Sequence, residues 1–135
     1  MPTYRAAWIL PITVPPVRDG LVAVDGGLIT GVGTRLQQQS IDLGRTAILP
    51  SLVNAHTHLE LSYLRGVVGR ADCFLDWIRA VIAARRPYSD PRDPAILAAA
   101  RAAIHEAHAT GTGLIGDVCN TLVTAPLLQE ARMPA

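Results

Sequence analysis

The sequence predicts an α/β fold class in which parallel strands are joined through helices, with a small β module ahead of them. Three observations predict it. An apolar run, Ile48–Val53, leads into His56-Thr57-His58, an alanine-rich helical stretch occupies 93–109, and a second apolar run returns at Leu114–Cys119. In order, residues 48–135 read β-α-α-β-α, the alternation of a parallel α/β layer. Residues 1–47 read as the β module, so the boundary is placed between residues 47 and 48.

Each element has its own signal. Leu21-Val22-Ala23-Val24 runs into Asp25-Gly26-Gly27, and Leu28–Gly33 follows. Two β-rich runs about an Asp-Gly-Gly turn predict a hairpin, because glycine supplies the positive φ such turns need. Pro11, Pro15 and Pro16 confine the preceding stretch to edge strand or loop. Residues 48–60 read as the first strand of the α/β region. Phe74, Ile78 and either Val81 or Ile82 then recur at helical spacing, and Pro87 and Pro91 end that helix. Asp93-Pro94 reads as an N-cap with proline at the first helical position, opening a helix that runs to Ala109. Thr110-Gly111-Thr112-Gly113 closes it. Leu114–Cys119 reads as the second strand and Thr121–Arg132 as the beginning of a third helix.

The chemistry concentrates in His56 and His58. On a strand, residues i and i+2 share a face, so the two imidazoles project side by side with Cβ atoms about 6–7 Å apart. Imidazoles on that spacing can converge on one ion at Zn–N bonds of about 2.0–2.1 Å. An apolar strand delivering two ligands at its C-terminal end suits the catalytic face of a (β/α)8 barrel.

Pro50, Asn54, Ala55, His56, Thr57 and His58 together resemble the strand-1 signature of the amidohydrolase superfamily of metal-dependent hydrolases. That signature reads Pro-Gly, apolar residues, then Asn-Ala-His-Thr-His, and the nearest likeness is to the cytosine deaminase-like, chlorohydrolase-like and aminodeoxyfutalosine deaminase-like branch. Ser51 stands where the family has glycine and touches no ligand. The strand pair around Asp25-Gly26 also resembles the family's opening. The resemblance implies the N-terminal part of a (β/α)8 barrel preceded by a small β-sandwich segment, with 1–47 as the sandwich segment and 48–135 as the first two β/α units. A complete barrel takes about 250 residues, so the barrel is incomplete in this chain, which reads as an N-terminal fragment.

The resemblance also implies an activity. The intact protein is expected to be a metal-dependent hydrolase of carbon–nitrogen bonds other than peptide bonds, deaminating an aminated ring by metal-activated water. Chlorohydrolase or cyclic amide hydrolase chemistry is the alternative, and a truncated, non-catalytic fragment or interaction module is the reading from a different class. The implied cofactor is one divalent metal ion, zinc or iron, held by His56 and His58 with a later His and a later Asp. The general base is expected beyond residue 135.

Other polar residues carry weaker signals. Glu60 lies on the face of His56 and His58 if the strand persists, where the resemblance implies contact with substrate; if the strand has ended, it is an ordinary exposed carboxylate. Asp117 and Cys119 share a face near the end of the second strand, with Asn120 next; Asp117 is expected to act behind the ligands rather than as one. His105 and His108 lie three apart on the alanine-rich helix, where proximity to its C-terminal dipole explains them. Trp77 is expected in the core, and Tyr63 is open between core and pocket.

Composition narrows the partners. The net charge is +1 and all 12 basic residues are arginine, without a sustained basic patch, so no nucleic-acid partner is expected. The arginine-only usage excludes a lysine Schiff base or carbamylated lysine within the chain. No segment reaches the roughly eighteen apolar residues of a membrane span, and Met1–Leu10 lacks a secretory pattern. Cys73 and Cys119 are too distant for a CxxC pair and read as free thiols of a cytoplasmic protein. The expected partner is a small-molecule substrate, with a homo-oligomer possible.

Overall fold

The computed structural model describes residues 2–35 and 39–135. They form two compact units, Met1–Pro50 and Ser51–Ala135. The first is a mixed sheet of β1 (Thr3–Ile9), β2 (Val17–Asp25), β3 (Leu28–Gly33), β4 (Ser40–Asp42) and β5 (Ala47–Ile48), in the order β3-β2-β1-β4 with β5 also paired to β1. β1 and β2 run antiparallel from Thr3↔Ala23 to Ile9↔Val17, while β4 and β5 follow one another in parallel along the other edge of β1. Ala6, Ile9 and Val22 form the core, with Val17, Val24 and Ile48 against it. The Asp-Gly-Gly hairpin forms as its sequence requires: Gly26 has φ +56° and Gly27 φ +81°, joining β2 to β3. Gly26→Val is therefore expected to cost about 1–2 kcal/mol, the penalty of placing a side chain in the left-handed region. Thermal unfolding checks this, and an unchanged midpoint would contradict it.

The second unit contains β6 (Leu52–Thr57), a 3-10 turn (Leu59–Leu64), α1 (Phe74–Arg85), α2 (Pro94–Ala109), β7 (Thr112–Asp117) and α3 (Ala125–Glu130). β6 and β7 pair in parallel, so the path between them is a helical crossover, the β-α-α-β order expected. The alanine-rich helix begins and ends as read. The Asp93 carboxylate accepts from Ala95 N at 2.8 Å, Pro94 occupies the first turn, and Gly111 follows the helix at φ +93°. Ile96, Ala100 and Ile104 recur every four residues and bury one stripe of α2. Ala100 and Ile104 join Leu59, Ile115, Leu127, Leu128 and Met133 in the core.

Three expectations need correction. Residues 48–60 are not one strand: Ile48 ends β5 in the first unit, Pro50 interrupts the run, and β6 stops at Thr57. Past Thr57 the backbone donors are claimed elsewhere, Leu59 N by the Asp117 carboxylate at 2.9 Å and Leu61 N by His58 O at 2.9 Å. The third helix is shorter than Thr121–Arg132, because Leu122 sits at φ +56° and the Thr121 amide and hydroxyl are drawn to Glu60. Trp77 is not core: α1 buries none of its residues, and Trp77 is 41% exposed. Among the described residues, no helix is long and apolar enough to cross a membrane.

Candidate metal centre

β6 does not carry a uniform register to its end. Asn54 pairs with Ile115 and Thr57 with Asp117, so three steps on β6 face two on β7. The extra residue is a bulge around Ala55-His56, a device that re-aims side chains at strand ends. Gly116 permits it. A Cβ there would stand 2.5 Å from the Ala55 carbonyl oxygen and 2.9 Å from its carbon, so only glycine admits this backbone approach. Ser51, just ahead of β6 and standing where the signature that the sequence resembles has glycine, packs its side chain over the bare face of Gly113.

His56 and His58 leave this strand end together. Their rings meet edge to face, with centroids 4.9 Å apart and planes at 83°, and their Nε2 atoms are 3.2 Å apart. Two Zn–N bonds of about 2.0–2.1 Å at the tetrahedral angle span about 3.3–3.4 Å between nitrogens, so the pair fits a shared divalent ion. The other side of His58 is also set. Its Nδ1 lies 2.7 Å from the Val118 carbonyl, which can only accept, so the proton belongs on Nδ1 and the Nε2 lone pair is free for an ion. The His56 amide is tied to Asn54 Oδ1 at 3.3 Å. Two imidazoles are half a site, because zinc takes three or four protein ligands. Among the described residues, no group of three or more His, Cys, Asp or Glu is placed to hold a metal.

Asp117 lies behind the pair rather than beside it. Its Oδ1 accepts from Leu59 N at 2.9 Å and Thr57 Oγ1 at 3.2 Å, and its Oδ2 accepts from Thr124 Oγ1 at 2.6 Å. Glu60 lies in the 3-10 turn and not on β6, and its carboxylate is only 4% exposed. It accepts from Asn120 N and Nδ2 and from Thr121 N and Oγ1, filling the four or so acceptor positions a carboxylate offers. Burial pushes the Glu60 carboxyl up, but the Thr121 and Asn120 hydrogen bonds together outweigh it and hold the group below its ordinary value. A depressed folded-state pKa contributes stability above the unfolded value, and that contribution is lost as pH falls through the folded one. Acid unfolding is therefore expected to steepen below pH 4.5, the ordinary value, and Glu60→Ala to flatten that limb. Identical acid limbs in the two proteins would contradict the assignment.

Beside His58, a cavity of about 370 Å³ is lined by His58, Leu61, Leu64, Trp77 and Val81 among others. Trp77 thus brings an exposed aromatic face beside a candidate ligand. Tyr63 turns the other way, its ring centroid 4.6 Å from that of Tyr88 with the planes tilted by 59°, and burial pushes its hydroxyl pKa up. His105 and His108 are exposed on α2, in a groove with Arg101, Leu127 and Glu130, and play no part in the pair. Cys73 and Cys119 are free thiols. Two contributors escaped the sequence reading. The Val118 carbonyl has no side-chain signature. Gly116 had one, since an isolated glycine inside a strand marks a bulge or a close backbone approach.

No family model matches the chain. A 5-methylthioadenosine/S-adenosylhomocysteine deaminase of Nitratidesulfovibrio vulgaris (strain Miyazaki F) is 38% identical over 69 residues, covering 46% of this chain and 16% of the relative. Among solved structures, the zinc-complexed atrazine chlorohydrolase of Arthrobacter aurescens TC1 superposes with a TM-score of 0.80 at 20% identity, over 98% of this chain and 34% of that one. Helicobacter pylori aminofutalosine deaminase, solved with methylthio-coformycin, gives 0.74 at 21% identity over 96% of this chain and 33% of that one. The chain thus spans 16% of this curated relative and about a third of these solved chains.

Proposed function

We propose that this chain is the N-terminal part of an amidohydrolase-superfamily enzyme and supplies the first two metal ligands of a hydrolase that deaminates an aminated purine-like ring. The observation that carries the reading is the 3.2 Å approach of the His56 and His58 Nε2 atoms at the end of β6. In this reading residues 51–135 are the first two β/α units of a (β/α)8 barrel, and residues 1–50 are a β-sandwich segment. The fit of nearly the whole chain to about a third of each solved chain supports it.

His56 and His58 would hold one divalent ion, zinc before iron, given imidazole nitrogen donors at a tetrahedral span. Such an ion supplies Lewis acidity that makes water nucleophilic near neutral pH. The chain's own residues do the rest of what lies here. The Val118 carbonyl keeps the His58 proton on Nδ1, and the bulge over Gly116 aims His56 at the same point. Trp77, Leu61 and Val81 offer an apolar wall to a flat heterocycle beside His58. Water enters the ring carbon and the amine leaves as ammonia, which requires an acid–base group to carry the proton. Glu60 is engaged by four internal donors and Asp117 by three, so that group and the remaining ligands are proposed to come from outside the described residues. The 135 residues alone are accordingly proposed to be catalytically silent.

The test is a chimera in which residues 1–135 replace the matching segment of the Nitratidesulfovibrio deaminase. Zinc retention with ammonia release from 5′-methylthioadenosine is expected, and both are expected to vanish on His58→Ala. A folded chimera that deaminates equally well without His56 and His58 would overturn the proposal.

A further inference from the structure

We propose that Glu60 is a positioning residue for the His58 imidazole, acting through the loop that follows β7. The inference rests on the reading of His58 as a metal ligand, and it adds a residue that sets how that ligand is presented. Glu60 Oε1 accepts from Asn120 N at 3.1 Å and Asn120 Nδ2 at 2.8 Å, and Oε2 from Thr121 N at 3.2 Å and Thr121 Oγ1 at 2.6 Å. The Arg85 guanidinium at the end of α1 stands 4.0 Å from Oε1. Two residues before Asn120, the Val118 carbonyl accepts from His58 Nδ1 at 2.7 Å. At the near end of the same loop, Val118 N donates to Thr57 O at 2.8 Å and Asp117 accepts from Leu59 N.

Segment 117–121 is therefore fastened to segment 57–60 at both ends, and the carbonyl that fixes His58 lies between the fastenings. Asp117 holds one end and Glu60 the other. A carboxylate suits the second task better than an amide, because all four partners donate and only a carboxylate accepts from all of them. Burial strengthens these bonds and makes their loss costly. Without the Glu60 fastening, Val118 is held from one side only, and the His58 proton is free to redistribute between Nδ1 and Nε2. A proton on Nε2 occupies the lone pair that an ion needs. The effect starts at His58 and reaches His56 only through their 3.2 Å Nε2–Nε2 contact, across which a proton on one nitrogen requires a lone pair on the other.

The tautomer of this pair gives a readout which a purely structural role would not move. The chain contains 4 histidines, so 15N-histidine labelling with magic-angle-spinning NMR resolves their tautomers in the metal-free protein whatever its state of assembly. Above about pH 8, where ordinary imidazoles are neutral, His58 is expected as the Nδ1–H tautomer. In Glu60→Ala it is expected to become a mixture, with His56 shifting in the opposite sense across their shared contact while His105 and His108 keep their signals, and zinc affinity is expected to fall about 10–100-fold, the range for groups that orient a ligand. Glu60→Gln, which places an amide donor against donors, is expected to resemble Glu60→Ala. Asn120→Ala and Thr121→Val each remove one side-chain donor and keep the backbone one, so they decide the matter if Glu60→Ala does not fold. They are expected to shift His58 the same way by less. His58 remaining a single Nδ1–H tautomer in the folded variants would overturn the proposal. Zinc binding that ignores His58 in the parent chain, together with the tautomer shift in Glu60→Ala, would instead sink the metal reading and leave the positioning role standing.

Discussion

His58→Ala is expected to abolish the zinc binding at the end of β6, weak as two fixed ligands make it, and His56→Ala to do the same. Each imidazole supplies one of the two nitrogens whose 3.2 Å separation matches the span of a tetrahedral pair. Removing either leaves a single donor beside solvent, with nothing among the described residues positioned to replace it. Loss of a group that merely orients a ligand costs about 10–100-fold in affinity, so loss of a ligand is expected to cost at least that. His105→Ala is expected to leave binding unchanged, since His105 belongs to the α2–α3 groove. Calorimetric zinc titration of the parent and three variants checks all of this at once. Equal affinity in the His56 and His58 variants would remove the site.

Gly116→Val is expected to be the most damaging single substitution outside the imidazoles. The added Cβ meets the Ala55 carbonyl oxygen at 2.5 Å and its carbon at 2.9 Å, and backbone atoms cannot rotate away. β6 and β7 would have to part where the bulge turns His56 towards His58. Overpacking of this kind costs about 1–3 kcal/mol, a melting shift of roughly 5–20 °C for a domain of this size. Gly116→Ala is expected to share the clash, since the Cβ is the offending atom. Both are also expected to weaken zinc binding although neither touches the ion. A variant with the parent's melting temperature and zinc affinity would mean that the close approach at Ala55 is dispensable.

Much of this was legible because it is local. The Asp-Gly-Gly turn, the Asp93-Pro94 start and the Gly111 stop of α2 each depend on a few adjacent residues, and each forms where the sequence puts it. The His-x-His spacing likewise identified the imidazole pair, although the geometry that unites them differs from a plain strand. A regular strand would hold His56 and His58 on one face about two rises apart. Here a bulge, a strand end at Thr57 and a carbonyl 60 residues away bring their Nε2 atoms together. Those partners were illegible because Val118 contributes only backbone and Glu60 finds its donors across the fold. Trp77 misled for a related reason: helical periodicity shows that a face is apolar, not what covers it. The early stop of β6 is another long-range effect, set by Asp117 taking the Leu59 amide.

The imidazole pair is decided most directly by zinc-edge X-ray absorption on the chain loaded with one equivalent of zinc. Two histidine nitrogens at about 2.0–2.1 Å are expected in the first coordination sphere, with the histidine ring signature lost in the double variant H56A/H58A. A spectrum without histidine scattering, or one that the double variant leaves unchanged, would contradict a metal centre at the end of β6.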